Sequence, residues 1–324
     1  MANDKGRLDS LFHPDKRLIF VGGKGGVGKS SISSAIALHL SRQCNTLLIS
    51  TDPAHSTADS LGTTRLDGLT TVKMGSSDLN VWELDSAKAF SEFKDKHEQE
   101  IRLLFDTSTY MDEEDIDQVM SLMIPGIDEV MALKSIFDIM SEERYEKIIV
   151  DTAPTGHALR LLFMPDILNH WVKVMAGMRW KYKTIQKTFK GKYTPDDADD
   201  MLLDLKRMVS RMKNTLVDHQ GCEFVLVTQP GTMIINETKR LYEKLQSNGV
   251  GVHALVVNCL APDSSDSFYS QLHVNQQALL KGIQDDFEGL EMIKMPLFPF
   301  EITGLDGLNE FEKALFTKTK TDTI

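Results

Sequence analysis

The sequence predicts an α/β fold: a mainly parallel β-sheet covered by helices, with an α-helical subdomain inserted between its strands. Short apolar runs typical of buried strands recur along the chain, helical runs separate them, and a glycine-rich loop follows the first strand. Two long helical stretches interrupt this alternation. We therefore expect one domain over residues 1–324, with the helical subdomain inserted at about 86–143 and 158–218.

Composition and charge narrow the classes of function. Hydrophobic residues make up 41% of the chain and charged residues 26%, as in ordinary globular proteins. The net charge of −11 argues against a nonspecific nucleic-acid binder, so no nucleic acid is expected as a partner. The N-terminus lacks an apolar signal core, and no apolar run approaches the roughly 20 residues that span a bilayer. We expect a cytosolic protein.

The first strand and helix flank a glycine-rich loop, Gly22–Ser30, which follows the apolar run Leu18–Val21 and precedes the helical run Ile32–Leu40. Strand, glycine loop, Gly-Lys-Ser and helix in this order predict a phosphate-binding loop, or P-loop. Its glycines let successive backbone N–H groups point at phosphate oxygens, and the Lys29 ammonium suits the β- and γ-phosphates. The Ser30 hydroxyl suits Mg²⁺. The alternative is a glycine turn that binds no ligand.

Two carboxylates come at the ends of predicted strands. Asp52 follows the strand Thr46–Ser50, which we expect to lie beside the P-loop strand, so that Asp52 faces the crevice where parallel sheets bind ligands. Helix capping is the alternative role for Asp52. Asp151 ends the strand Ile148–Asp151, at the acidic position that holds Mg²⁺ through water. Gly156, a few residues on, favours a loop that reorganises when the γ-phosphate is lost.

The remaining elements continue the α/β alternation. An amphipathic segment near the C-terminus, Gly307–Phe316, is expected to pack on the sheet. Further strands are predicted at 80–84, 223–228, 252–258 and 292–296, and further helices at 234–246 and 271–283.

With these residues placed, the chain resembles the ArsA/guided-entry family of P-loop ATPases. Members of that family include arsenite-pump ATPases and ATPases that target tail-anchored membrane proteins to the endoplasmic reticulum. Lys24 gives the loop the deviant pattern that ArsA shares with MinD, ParA and the nitrogenase iron protein. The similar segments are Gly22–Ser30, Ser50–Ser56, Ile124–Glu129 and Asp151–His157, extended by Val257–Asn258 and Met295–Leu297.

The resemblance implies a Mg²⁺-dependent ATPase that works as a homodimer. Lys24 and Asp52 would be catalytic, with Lys24 contacting the opposing subunit's nucleotide and Asp52 orienting the attacking water. Ser30 would ligate Mg²⁺ directly, whereas Asp52 and Asp151 would hold it through water. The nucleotide-binding set would be Gly23, Lys24, Gly25, Gly26, Val27, Gly28, Lys29, Ser30, Ser31 and Asn258, with Asn258 recognising adenine. The switch II segment would be Asp151, Thr152, Ala153, Pro154, Thr155, Gly156 and His157.

The sequence departs from the family pattern in three places. Eukaryotic targeting members usually carry a Cys-x-x-Cys pair that shares zinc between subunits, but residues 263–269 here offer no such ligands, so zinc is not expected. Pro230-Gly231 stands where the family often has Pro-Glu. Metalloid-pump members use cysteines in the helical region, whereas Cys44, Cys222 and Cys259 all lie outside it and indicate buried free thiols.

Methionine is concentrated in the helical region. Of the 16 methionines, 11 lie between residues 111 and 212, and Met side chains adapt to varied apolar partners. Stripes at three- and four-residue spacing either pack together as core or, as the resemblance implies, form a groove for a client's transmembrane helix. The candidate groove residues are Met120, Met123, Met131, Met140, Met164, Leu168, Trp171, Met175, Met178, Met201, Leu205, Met208 and Met212.

The leading hypothesis is an ATP-hydrolysing targeting factor that shields the transmembrane helix of tail-anchored proteins for post-translational insertion. It implies a nucleotide-switched dimer, a membrane receptor for release, and a cytosolic protein that is peripheral to the membrane during delivery. The alternative is a soluble ATPase subunit of an arsenite or metalloid efflux system. A MinD/ParA-like positioning switch is less favoured because the C-terminal amphipathic segment is not basic.

Overall fold

A computed structural model describes residues 7–52, 56–63, 66, 68–75, 77–108, 127–152, 168–170, 172–177, 179–181, 184, 187–188 and 195–317. The strands in this part of the chain form one eight-stranded sheet, and helices cover it. The predicted α/β class is confirmed. The single domain and the bounds of its helical insertion stay predictions.

The strands read as continuous apolar runs where the sheet is most deeply buried. Their bounds are β1 Leu18–Gly23, β2 Thr46–Ser50, β3 Leu69–Met74, β4 Ser77–Glu83, β5 Lys147–Asp151, β6 Cys222–Thr228, β7 Val252–Leu260 and β8 Glu291–Pro296. Every residue of β1, β2, β5 and β6 is buried, as expected of strands covered on both faces.

The helices alternate with these strands and also build the insertion. Their bounds are α1 Lys29–Ser41, α2 Ser56–Leu61, α3 Ser86–Lys96, α4 Glu98–Ser108, α5 Ile127–Ser141, α6 Asp197–Leu216, α7 Thr232–Ser247, α8 Ser267–Asp286 and α9 Gly304–Phe316. The described residues between 168 and 188 are helical too. The amphipathic C-terminal segment is α9, which packs on α1 and β8 and buries Leu308, Phe311 and Leu315.

The strand order is β3-β4-β2-β5-β1-β6-β7-β8, and all neighbours are parallel except β3 and β4. The prediction that the Asp52 strand lies beside the P-loop strand is wrong, because β5 lies between β1 and β2. Asp151 is instead level with Val21 on one side and with Ser50 on the other. The ends of β1, β5 and β2 therefore converge at one place.

The β3–β4 hairpin closes one edge of the sheet and was only half predicted. Strand β4 was expected at 80–84 and begins earlier, at Ser77. Strand β3 was not predicted, since it alternates between exposed and half-buried residues as an edge strand does. Gly75 provides the positive φ, 72°, that the tight connection between the two strands requires.

The chain divides into two compact units. The sheet unit comprises Met1–Leu84, Met140–Leu159 and Thr215–Ile324, and the helical unit comprises Asp85–Ile139 and Arg160–Asn214. Part of the helical unit's core is Ala198, Met201 and Leu202, packed with Ile101, Leu103, Met175 and Leu205. In the parts of the chain that the structure describes, every helix is too short or too polar to cross a bilayer.

Strand β1 runs unusually close to β6 at its carboxyl end. A Cβ atom added at Gly23 would lie 2.2 Å from the carbonyl oxygen of Val227, a backbone atom of a fully buried strand. By contrast, a Cβ added at the helical residue Gly177 would meet nothing within 4 Å. The first glycine is therefore required by packing, whereas the second is not.

We predict that Gly23→Ala lowers the free energy of unfolding by about 3 kcal/mol or more, because two buried strands must separate to admit the methyl group. Gly177→Ala is the control and should gain about 0.5–1 kcal/mol from its better helix propensity. Urea denaturation of the nucleotide-free variants measures both. Wild-type stability of Gly23→Ala would contradict the packing constraint.

Candidate functional site

The P-loop joins the end of β1 to the start of α1 at the centre of the sheet. Gly26 and Gly28 adopt positive φ angles of 80° and 95°, which favour glycine. Helix α1 begins at Lys29 directly after Gly28, and no side chain caps it. The N–H groups of its first turn, which include those of Ser30 and Ser31, have no intrahelical acceptors and are suited to bind an anion.

The other half of the sheet holds the P-loop in place. The Asn258 amide, near the end of β7, donates to the Val27 carbonyl at 2.9 Å and accepts from the Cys259 N–H at 2.9 Å. The Gln229 amide, just after β6, donates to the Gly26 carbonyl at 3.2 Å. Adenine recognition by Asn258 stays a prediction. The contact that the structure gives Asn258 positions the loop, and sequence reasoning missed Gln229.

Lys29 is almost completely buried at the floor of the loop, with 5% of its surface exposed. Burial lowers the pKa of its ammonium below the ordinary value, while the carboxylates of Asp151 and Asp52 act in the opposite direction. Its Nζ donates to the Lys24 carbonyl at 3.3 Å. Lys29 thus lies where its charge can meet both phosphate oxygens and the two predicted carboxylates.

An oxygen-rich cradle lies beside Lys29. The hydroxyls of Ser30 and Ser56 are 2.7 Å apart, and the Thr57 hydroxyl donates to Oδ2 of Asp151 at 3.0 Å. Oδ1 of Asp151 is buried, and among the described residues it has no hydrogen-bond partner. Hydroxyl and carboxylate oxygens are the ligands that Mg²⁺ prefers, so these residues fit the expected cation. Asp52 is half-buried and acts electrostatically on both Lys29 and Asp151.

Ser56 and Thr57 were not among the predicted site residues. They begin α2, the short helix after the Asp52 segment, and two hydroxyls at a helix start near a predicted phosphate site were the available signal. Thr51 reinforces the arrangement, since its N–H and its hydroxyl both donate to the Asp151 carbonyl, at 3.0 and 3.1 Å. Thr152 does the same to Val21, at 3.2 and 2.8 Å.

The side chain of Lys24 pairs with a carboxylate on α7. Its Nζ lies 3.0 Å from Oε1 of Glu237 on α7, and both side chains are about one-third exposed, at 31% and 34%. The predicted contact of Lys24 with a partner's nucleotide stays a prediction. Of the predicted switch II segment, Asp151 and Thr152 are placed at the site, whereas residues 153–157 lie outside the described part of the chain.

The candidate groove residues divide into three groups. Leu168, Met131, Met201 and Met212 are buried. Met140, Met175, Leu205 and Met208 are half-buried. Met120, Met123, Met164, Trp171 and Met178 lie outside the described residues. Among the described residues of the helical unit, three large apolar side chains outside the predicted groove set are exposed: Val174 at 50%, Trp180 at 66% and Leu203 at 45%.

A metal site outside the P-loop region would require a cluster of ligand side chains. Within the described ranges, no group of three or more His, Cys, Asp or Glu side chains is arranged to hold a metal ion. Cys44, Cys222 and Cys259 are free thiols of the sheet unit. Cys222 is buried as expected, whereas Cys44 and Cys259 are only half-buried. That zinc is not bound stays a prediction.

The fold and the site together define a P-loop nucleoside triphosphatase with a helical insertion. Residues 16–317 match the family model described as anion-transporting ATPase, ArsA type. The chain is 30% identical to the Paramecium tetraurelia protein named ATPase ASNA1 homolog 2, over 96% of each chain. It is 31% identical to ATPase GET3C of Arabidopsis thaliana, over 90% of this chain and 80% of the relative.

A third relative is an Aquifex aeolicus protein named as an arsenical pump-driving ATPase, 32% identical over 92% of this chain and 99% of its own length. The chain belongs to the ArsA-type anion-transporting ATPase family, and its class of enzyme is therefore ATPase. The resemblance inferred from the motifs is confirmed at this level.

The buried carboxylate of Asp151 predicts a pH-dependent stability. Burial raises the pKa of Asp151 from 3.8 to about 6, and Ser30, Lys29 and Thr57 only partly oppose it. Between these two pH values the folded chain keeps a proton that the unfolded chain has lost. The free energy of unfolding therefore falls as pH rises through this window.

Asp151→Asn cannot ionise at this position. We therefore expect its free energy of unfolding to rise, relative to that of the wild type, by up to about 3 kcal/mol between about pH 4 and about pH 7. Urea denaturation of both nucleotide-free proteins across this range measures the difference. Parallel stability curves would show that the carboxyl group is not raised in pKa by its burial.

Proposed function

We propose that this chain is a Mg²⁺-dependent ATPase that shields the transmembrane helix of tail-anchored membrane proteins. In this proposal a nucleotide-switched homodimer carries the client through the cytosol to a membrane receptor for post-translational insertion. The observation that carries the ATPase part is the cradle formed by the uncapped start of α1, buried Lys29, Ser30 and the buried carboxylate of Asp151. The similarity to the relatives named ATPase GET3C and ATPase get3, together with the motif resemblance, supports the targeting part.

The residues of the cradle can perform phosphoryl transfer to water. Backbone N–H groups and Lys29 hold the phosphates and neutralise their charge. Mg²⁺, when bound, would neutralise further charge on the phosphates, with Ser30 as its direct ligand and Asp52 and Asp151 acting through water. Asp52 would also orient the attacking water. This chemistry requires positioning and charge rather than a covalent contribution from the protein.

The helical unit would bind the client through apolar side chains. Trp180, Val174 and Leu203 are exposed there, and large apolar side chains at the surface are candidates for contact with an apolar partner. Met131, Met201 and Met212 are buried and contribute to the core instead. Binding of ATP would favour a closed dimer that presents a larger apolar surface, and hydrolysis would release it.

The second candidate is an ATPase subunit of a metalloid pump. It is favoured by the family description and by the Aquifex relative named as an arsenical pump-driving ATPase. Against it, the helical segments contain no cysteine, and thiolates are the soft ligands that a trivalent metalloid requires. Stimulation of ATP hydrolysis by arsenite would favour this candidate over the targeting factor.

We predict that Asp52→Asn binds ATP nearly as well as the wild type but hydrolyses it about 100-fold more slowly or worse, because the amide cannot orient the water as the carboxylate does. Asp59→Asn is the matched control, because this substitution removes the same charge at an exposed position of α2. Phosphate release and equilibrium nucleotide binding are measured for both. Unchanged turnover in Asp52→Asn would remove Asp52 from the mechanism.

We predict that the full chain, co-expressed with a tail-anchored substrate, forms a stable complex, and that it forms none with the substrate lacking its transmembrane helix. Trp180→Asp should reduce capture by at least about 5-fold, since an apolar side chain that the client would cover is replaced by a charge. Leu69→Asp, at an exposed position of edge strand β3, is the control and should capture normally.

Failure to capture several such substrates, with hydrolysis intact, would contradict the targeting proposal. The same preparation should then be tested for arsenite-stimulated hydrolysis. Equal loss of capture in Trp180→Asp and Leu69→Asp would contradict the placement of the client on the helical unit.

A further inference from the structure

The side chain of Lys24 is held by a carboxylate on a neighbouring helix. Its ammonium lies 3.0 Å from Oε1 of Glu237, in the second turn of α7. Both side chains remain about one-third exposed, at 31% and 34%, so the pair lies at the surface beside the P-loop rather than in the core. Such a pair can open without leaving a buried charge.

Glu237 is presented on a rigidly anchored helix. Ile235, Leu241 and Leu245 of α7 are buried, and the buried Thr238 hydroxyl donates to the Thr228 hydroxyl at the end of β6, 3.0 Å away. The position of the Glu237 carboxylate is thus fixed by the sheet. Lys24, in contrast, stands in the loop just after β1 and has a long, adaptable side chain.

The two lysines of the P-loop are linked in this arrangement. Lys29 donates from Nζ to the main-chain carbonyl of Lys24, at 3.3 Å, while Glu237 holds the side chain of Lys24. Both cations are therefore engaged by groups of the same chain. A triphosphate that recruits them must displace the carbonyl from one and the carboxylate from the other.

We propose that Glu237 is a positioning residue for Lys24: it holds the Lys24 ammonium on α7 in the nucleotide-free chain and competes with the triphosphate for it. The inference deepens the proposed ATPase function and rests on it. A triphosphate carries more negative charge than one carboxylate, so it takes Lys24 when it binds. Because this pair must open when nucleotide binds, the cost of opening it lowers the apparent affinity of the wild type, whether the phosphates belong to the same subunit or to a partner. Removing the Glu237 charge should therefore raise the affinity.

Equilibrium binding of a fluorescent, non-hydrolysable ATP analogue in the presence of MgCl₂ tests the proposal on the full chain. Glu237→Gln should bind the analogue about 2- to 5-fold more tightly than the wild type, the range that a partly exposed ion pair can supply. Glu237→Asp keeps the charge and should stay nearer the wild type. Glu243→Gln, an exposed position on the same helix, removes the same charge and should leave affinity unchanged.

A double-mutant cycle separates positioning from a general structural or electrostatic effect. In the Lys24→Ala background, Glu237→Gln should change affinity by less than about 1.5-fold, because Glu237 acts only through Lys24. The difference between wild type and Glu237→Gln should also shrink when salt rises from about 50 mM to about 300 mM. Circular dichroism of each variant confirms that the fold is retained.

The possible outcomes separate the role of Glu237 from the proposed ATPase function. If the wild type binds and hydrolyses ATP but Glu237→Gln has unchanged or weaker affinity, the role of Glu237 is overturned and the ATPase function stands. An equal gain in the Lys24→Ala background overturns it too. If the wild type does not bind the analogue, the proposed ATPase function itself fails, and the inference fails with it.

Discussion

The buried carboxylate of Asp151 is the group on which the site depends. The main-chain carbonyl of Asp151 accepts two hydrogen bonds from Thr51, and its side-chain Oδ2 accepts one from Thr57. Asp151 therefore fixes the end of β2 and the start of α2. It also faces Lys29 at the base of the P-loop. A fully buried carboxylate is costly, and a cation bound beside it would offset that cost. The residue thus links sheet geometry directly to the expected cation.

The half of the sheet that carries no predicted catalytic group serves as the support of the P-loop. Asn258 and Gln229, at the ends of β7 and β6, hold the loop carbonyls of Val27 and Gly26. Glu237 on α7 adds a side-chain contact to the same loop. Loop glycines are conformationally permissive, so such external contacts define one loop conformation before any ligand binds. Preorganisation reduces the ordering cost when phosphate enters.

Local pattern predicted much of this, and non-local contact explains most of the rest. The bounds of β2 were predicted to the residue, and the P-loop was found, because their signals lie within a few consecutive positions. Helix α8 begins at Ser267, before the predicted 271, since the Asp266 side chain accepts from the N–H groups of Phe268 and Tyr269. The place of β5 between β1 and β2, and the partners Thr57 and Gln229, arise from long-range pairing that no short motif encodes. Likewise, methionine spacing could not reveal which methionines are buried.

The helical unit is built from two stretches of chain, with Met140–Leu159 of the sheet unit between them. On the ribosome, its first stretch therefore emerges before β5, and its second stretch only afterwards. No contiguous fragment contains the helical unit alone. A fragment spanning both stretches would carry β5, whose apolar residues Ile148, Ile149 and Val150 pair with β1 and β2 in the full chain. Without those neighbours, β5 would expose unpaired backbone groups and would be prone to aggregate. The two units therefore have to fold together, as parts of one polypeptide.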